Sequence, residues 1–158
     1  MRLWHYRLIK TLSRQHLLGQ WRECLAITGA IKKHGAVNHA TVNRLNDYPR
    51  EDLEVYIQLV KEEMGRRGYK TSEKSHQKLI DDIGYDWTQP AAYRTNEEGD
   101  VLLSDGCELF SGFHDKRYLL QNLYMMQEKA DTDQIEAETW QKMVDSLLVK
   151  YPTLKQLL

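Results

Sequence analysis

Residues 13–35 read SRQHLLGQWRECLAITGAIKKHG, and this stretch predicts the first long helix of the fold. Ser13 is a typical N-cap, and Gly35 is the residue type that most often ends a helix in a left-handed conformation. Between them, a set of mostly apolar side chains recurs at helical spacing on one arc: Leu17, Leu18, Trp21, Cys24, Leu25, Thr28 and Ile31. We expect this arc to face the core of an amphipathic helix that runs from about residue 14 to 33.

The same period continues beyond this helix. Pro49 is typical of a helix start, and the apolar repeat that follows it predicts a second helix ending near Gly65 (Leu53, Tyr56, Ile57, Val60, Met64). Ser72 is a suitable cap for a third helix that reaches Ile83. Its apolar side chains, Leu79, Ile80 and Ile83, are expected to point inward.

Residues 84–114 lose the helical period, and Tyr93 to Leu103 form a weak hairpin pattern around Asn96-Glu97-Glu98-Gly99. The helical period returns over 115–129 and predicts a fourth helix. A last helix is predicted after Asp131, whose spacing to Gln134 resembles a capping box, and it ends near Tyr151. We therefore predict an all-α fold. Residues 1–158 would form a single compact domain of about four to five helices, with an irregular loop or small hairpin near 84–114.

Composition limits the class of protein. The chain has 158 residues, 41% of them hydrophobic, and no apolar run long enough to span a bilayer, so no membrane partner is expected. The two cysteines lie far apart, which favours a cytoplasmic protein over a disulfide framework. His5, His34 and His39 match no usual metal-ligand spacing with Cys24, and no metal site is predicted.

Charge is distributed unevenly along the chain. The first 34 residues carry seven of the 22 Lys and Arg side chains but only one of the 23 acids, Glu23. The remaining residues carry 15 basic and 22 acidic side chains, a balance that the net charge of −1 hides. A basic end with one embedded carboxylate predicts a surface for a polyanion, and nucleic acid is the obvious candidate.

The first helix has a second face, largely opposite the predicted core arc. At 100° per residue its members are His16, Gln20, Glu23, Ile27, Ala30 and His34, with Gln15, Arg22, Ala26 and Lys33 on the adjoining strip. The helix pattern alone favours a solvated polar face on which Glu23 pairs with neighbouring bases. The competing interpretation is a binding surface with a special acid.

Four motifs favour the binding surface: Arg2, Gln15-His16-Leu17, Arg22-Glu23 and Gly29-Ala30-Ile31-Lys32-Lys33-His34. Together they resemble the phage-type pyrimidine-dimer DNA glycosylases, the endonuclease V type. The resemblance covers roughly the first 70 residues, including a weaker likeness up to Tyr69. Residues 71–158 are an unmatched helical extension of this family-like core.

The resemblance implies a glycosylase with AP-lyase activity, in which a backbone α-amino group attacks C1′ of the damaged nucleotide and an imine forms before β-elimination. An α-amine has an ordinary pKa of about 7.7–8.0 against about 10.4 for lysine, so far more of it is neutral at pH 7. Arg2 is large, so we expect Met1 to be retained and to supply the amine. Glu23 is implied as the acid/base, and the implied DNA contacts are Arg2, Gln15, His16, Arg22 and Lys33.

The implied partner is double-stranded DNA carrying damaged bases, with the ultraviolet-induced cyclobutane dimer as the expected lesion. Neither a metal nor an organic cofactor is implied, and no required protein partner is evident. Two alternatives remain open. One is a non-catalytic nucleic-acid-binding domain on the same scaffold, and the other is an AP lyase for other lesions.

Overall fold

The computed structural model describes residues 1–158. It contains five α-helices: α1 (Arg14–His34), α2 (Arg50–Arg66), α3 (Glu73–Ile83), α4 (Lys116–Asp131) and α5 (Ala137–Leu148). One antiparallel hairpin joins β1 (Tyr93–Thr95) to β2 (Val101–Leu103), and three short 3-10 helices cover Tyr6–Thr11, Val42–Asp47 and Pro152–Gln156. The predicted all-α fold is confirmed, as is the small hairpin within the irregular segment.

The ends of α1 lie where the sequence predicts them. Ser13 Oγ accepts a hydrogen bond from His16 N at the start, and Gly35 ends the helix with a φ of 70°. The predicted buried arc needs correction on both edges, because Leu18 and Leu25 are only half-buried. Gln20 and Ile27, which the helical wheel placed on the polar face, are instead buried. For Gln20 the cause is residues 2–4, whose backbone its amide binds.

The second and third helices pack against α1. All five apolar residues predicted to face inward from α2 are buried, so that prediction is confirmed. On α3 only Leu79 is fully buried, while Ile80 and Ile83 are half-buried. Ser72 caps α3 as predicted, with its Oγ accepting from Ser75 N.

The junction between α4 and α5 differs from its prediction. Asp131 is the last residue of α4 rather than a cap of the next helix, and α5 begins only at Ala137. Gln134 N donates back to Lys129 O, and Asp133 takes a φ of 55°, so this segment closes off α4. Asp131 and Gln134 have the spacing of a capping box, but their backbone forms the C-terminal end of α4 instead of the start of α5.

The hydrophobic core is one cluster of 35 buried residues drawn from both halves of the chain. The first 12 residues run through it: Leu3, Leu8 and Leu12 are almost wholly buried, and the 3-10 helix Tyr6–Thr11 packs against α2 and α5. None of the helices combines the length and apolar character that a membrane span requires. The path of the N-terminal segment through the core is what positions the candidate site.

Candidate functional site

A buried glutamine of α1 holds the beginning of the chain. Gln20 is 1% exposed. Its Oε1 accepts a hydrogen bond from Trp4 N at 2.8 Å, and its Nε2 donates to Arg2 O at 3.1 Å. Because one amide group takes both backbone contacts, residues 2–4 are fixed across the side of α1.

Two other helices complete this attachment. Tyr118 of α4 donates its hydroxyl to Leu3 O at 2.6 Å, and Tyr56 of α2 donates to Trp4 O at 2.6 Å. Asn122 Oδ1 accepts from His5 N at 2.8 Å. The N-terminal segment is therefore bound through its backbone to three helices, and its course does not depend on its exposed side chains.

The result is a close approach of the terminal amine to Glu23. Met1 N lies 3.7 Å from Glu23 Oε1, and the two side chains are 26% and 33% exposed. Glu23 lies three residues after Gln20, so it follows one turn further along α1 on a neighbouring face. An amine and a carboxylate thus meet at a partly solvent-exposed site.

Arg2 lies beside this pair. Its guanidinium carbon is 4.9 Å from the centroid of the Trp4 ring, and its Nη1 is 2.8 Å from Met125 Sδ on α4. Trp4 itself is buried. The contact with the indole face is a cation–π interaction that orients the Arg2 side chain.

His16 is on the same side of the molecule as Trp4, whose ring it meets edge-on at 6.1 Å. Its Nδ1 is 2.7 Å from Ser13 Oγ. Burial, with a smaller contribution from the charge of Lys129, lowers the pKa of His16. The imidazole is therefore neutral at pH 7 and offers hydrogen bonds without a charge.

The other three predicted DNA contacts, Gln15, Arg22 and Lys33, are exposed. Their positions on α1 place them on one strip, adjacent to the side that carries Glu23. Small side chains lie along the same exposed surface (Gly19, Ala26, Gly29 and Ala30), and a groove that includes Lys33 and Lys78 of α3 runs over the last three. Gly29 leaves room there for Lys78, because a Cβ at this position would lie 2.9 Å from Lys78 Nζ.

Two further observations bear on the chemistry of the site. Cys24 is fully buried in the core, and burial raises the pKa of its thiol to about 12. Across the molecule, no three His, Cys, Asp or Glu side chains lie close enough together to hold a metal ion. The structure brings the Glu23 carboxylate to the amine of Met1, while the Arg2 guanidinium and the neutral His16 imidazole both lie against Trp4.

Sequence reasoning missed Gln20, Tyr118, Asn122 and Met125, which hold or contact residues 2–5. Gln20 gave one signal, since it lies one helical turn before Glu23, but the helical wheel placed it on the polar face. The three residues of α4 gave none, because they lie more than 110 positions from their partners.

Residues 1–77 match the family described as pyrimidine dimer DNA glycosylase. The predicted resemblance over roughly the first 70 residues is confirmed, and the matched range is just under half of the chain. It includes Met1, Glu23 and all five predicted DNA contacts, whereas α4 lies outside it. Neither a curated protein nor a solved structure matches the chain.

Proposed function

We propose, from the match of residues 1–77 to the pyrimidine dimer DNA glycosylase family, that this protein is a DNA repair glycosylase with AP-lyase activity. Its substrate would be duplex DNA with damaged pyrimidines, the cyclobutane dimer above all. One observation carries the proposal: the 3.7 Å separation of Met1 N from Glu23 Oε1 at an accessible site. Met1 is the nucleophile and Glu23 the acid/base.

The proposed reaction begins with the neutral α-amine, whose lone pair forms a bond to C1′ of the damaged nucleotide. The bond between C1′ and the base breaks, and its electron pair leaves with the base. Glu23 accepts a proton from the attacking nitrogen and returns it to the ring oxygen as the sugar opens to an imine. Glu23, again a carboxylate, then accepts a C2′ proton as the 3′ phosphate leaves by β-elimination, and water hydrolyses the imine to free Met1.

The surroundings of Met1 support such a reaction. Placing an amine and its proton acceptor in fixed proximity replaces a costly encounter by an intramolecular one. Gln20 provides this placement through the backbone of residues 2 and 4. Glu23 is half-exposed, so it can exchange its proton and stabilise the positive charge of the imine.

The exposed strip of α1 is the proposed contact with DNA. Arg22 and Lys33 are placed to neutralise phosphates, and Gln15 with neutral His16 to hydrogen-bond near the lesion. The attack on C1′ requires a kinked duplex or an extruded nucleotide, at a cost of a few kcal/mol that a poorly stacked lesion reduces. The small residues of this strip leave room for a bulky strand to approach Glu23.

Borohydride trapping tests the proposal. Incubation with abasic or ultraviolet-irradiated duplex and borohydride should give a covalent protein–DNA adduct with an unmodified N-terminus and none with an acetylated one. Glu23→Gln should slow strand cleavage by about 10²- to 10⁴-fold, the usual contribution of a positioned acid/base. Glu54→Gln, which changes a half-buried carboxylate on α2, is the matched control and should cleave normally.

Other outcomes assign other functions. Salt-sensitive DNA binding without an adduct would select the non-catalytic binding domain. Cleavage of abasic but not dimer-containing duplex would select an AP lyase for other lesions. An adduct that survives acetylation of the terminus would assign the nucleophile to a lysine and reject Met1.

A further inference from the structure

A second groove opens at the N-terminal end of α1, with a volume of about 310 Å³. The 3-10 helix Tyr6–Thr11, the C-terminal end of α2 and the first turns of α5 form its walls. Five of its nine lining residues are cations and none is acidic; the cations are Lys10, Arg14, Arg66, Arg67 and Lys142. We call it the flanking groove.

The carboxylates around the flanking groove leave an excess of positive charge. Buried Glu63 binds both Arg66 Nη2, at 2.5 Å, and Arg67 Nε, at 2.8 Å. Glu138 pairs with Lys142 at 2.8 Å, at an exposed position. These two acids face five cations, and a concave surface with this balance concentrates a polyanion.

The backbone of the groove is also fixed. Arg67 donates to Leu12 O at 2.7 Å and to Lys10 O at 3.0 Å, so α2 holds the segment that leads into α1. Lys10 and Arg14 are exposed, and their charged groups form no hydrogen bond or ion pair within the protein. Their charges are therefore available to a ligand, whereas Lys142 is paired with exposed Glu138.

The flanking groove lies next to His16, one of the predicted DNA contacts. Ser13 lines the groove, and its Oγ is 2.7 Å from Nδ1 of His16. At 100° per residue Ser13 lies about 80° around α1 from Glu23, and the helix axis between them covers about 15 Å, the length of about four nucleotides along one strand of B-form DNA. A strand whose damaged nucleotide lies at Glu23 would reach the groove within that distance.

We propose that the flanking groove binds the phosphate backbone of the same duplex, about four nucleotides from the damaged one and on one side only. This inference rests on the proposed function. Thr139 and Lys142, which line the groove, belong to α5 and so to the part of the chain outside the family match. The acidic remainder of the chain thus contributes to DNA binding by placing Arg66, Arg67 and Lys142 at one location.

The test compares two triple variants with the same change in net charge. The groove variant removes three cations of the flanking groove and leaves the partners of buried Glu63 in place. Its changes are Lys10→Gln, Arg14→Gln and Lys142→Gln. The control changes three exposed cations outside the groove: Arg50→Gln, Lys74→Gln and Lys155→Gln. The probe is a 24-base-pair duplex with one uncleavable abasic analogue at its centre. The Kd of each variant for this duplex is measured by fluorescence anisotropy at several salt concentrations.

The slope of log Kd against log salt should be smaller by about 2 to 3 in the groove variant than in the wild type. Each phosphate contact contributes about 0.9 to this slope. Its affinity at low salt should fall at least about tenfold, while the control variant should bind as the wild type does. On a duplex shortened to two base pairs on the groove side of the lesion, both variants should bind equally. Equal affinities of the two variants on the long duplex, or an undiminished difference on the short one, would overturn the inference.

Trapping with the wild-type protein separates this inference from the proposed function. An adduct together with equal affinities would reject the flanking groove alone. A loss of affinity in the groove variant, without any adduct from the wild type, would reject the catalytic proposal and keep the groove as a DNA-binding surface.

Discussion

The first 34 residues and helix α4 contribute to the same site in different ways. The first region supplies the groups proposed to react and to bind DNA, Met1 and Glu23 among them. Helix α4 supplies Tyr118 and Asn122, which bind the backbone of Leu3 and His5. One region lies within the family match and the other outside it.

This difference shows which parts of the sequence determine the chemical groups of the site and which parts determine their placement. The proposed chemistry is encoded locally, because spacing along one helix sets the relative positions of His16, Glu23 and Lys33. The placement of the amine is encoded by long-range contacts, because a chain terminus has no helix of its own to hold it. Changes to the holding residues should therefore affect catalysis without touching any reacting atom.

The largest expected effect of this kind comes from Gln20→Leu. The change leaves Trp4 N and Arg2 O without their partner, at a cost of about 1–3 kcal/mol in stability. A displacement of the amine by about 1 Å should slow single-turnover cleavage of abasic duplex by about 10²-fold.

Gln58→Leu is the control for this change, since Gln58 is a buried glutamine of α2 that hydrogen-bonds Tyr85, Glu62 and Ala91 O. It should lose similar stability and keep its cleavage rate. Equal rates for the two variants would show that Gln20 does not place the amine.

A second prediction concerns the buried histidines that join the two halves of the chain. The rings of His5 and His114 stack at 5.0 Å. Burial lowers the pKa of His5 to about 3, and burial also lowers the pKa of His114 well below its usual range. In the unfolded chain both titrate near 6.5, so below that pH the unfolded state binds more protons and the native state loses stability.

At pH 5 this loss should be about 2 kcal/mol for His5 alone, from 1.36 kcal/mol per pH unit over about 1.5 units. Urea denaturation at pH 7.5 and pH 5 measures it. Between pH 7.5 and pH 5, carboxylates whose pKa is lowered in the folded protein, such as Glu63 and Asp82, stay ionised and contribute little to the change in stability. An equal urea midpoint at both pH values would contradict the prediction.

The smallest effect is expected from Asn122→Leu. Asn122 Oδ1 accepts from His5 N, three residues further from the amine than Arg2. Tyr118 and Gln20 still hold residues 2–4, so cleavage should slow by about tenfold or less, while the melting temperature falls by several degrees. A loss as large as that of Gln20→Leu would mean that α4 places the amine as strongly as α1 does.

The sequence predicts those parts of this fold whose signals are local. The ends of α1 are recognisable because Ser13 and Gly35 act on their own neighbours. The burial of Gln20 is not, because it depends on residues 2–4 packing against that side of the helix. The boundary after Asp131 was mispredicted for a related reason: the capping-box spacing is present, but the positive φ of Asp133 follows a helix end.

The candidate site divides in the same way. The pairing of Met1 with Glu23 was expected from family motifs rather than from the helix pattern, which favoured a solvated face. The flanking groove was not foreseen, because Lys10, Arg67 and Lys142 are far apart in the sequence and only the fold brings them to one place.

The attachment of the N-terminal segment also bears on how the protein matures during translation. Tyr118 and Asn122, which bind the backbone of Leu3 and His5, are synthesised more than 110 residues after the segment that they hold. Until α4 has formed, that segment lacks two of its backbone partners. A nascent chain without α4 would therefore hold residues 1–5 less firmly beside Glu23 than the folded protein does.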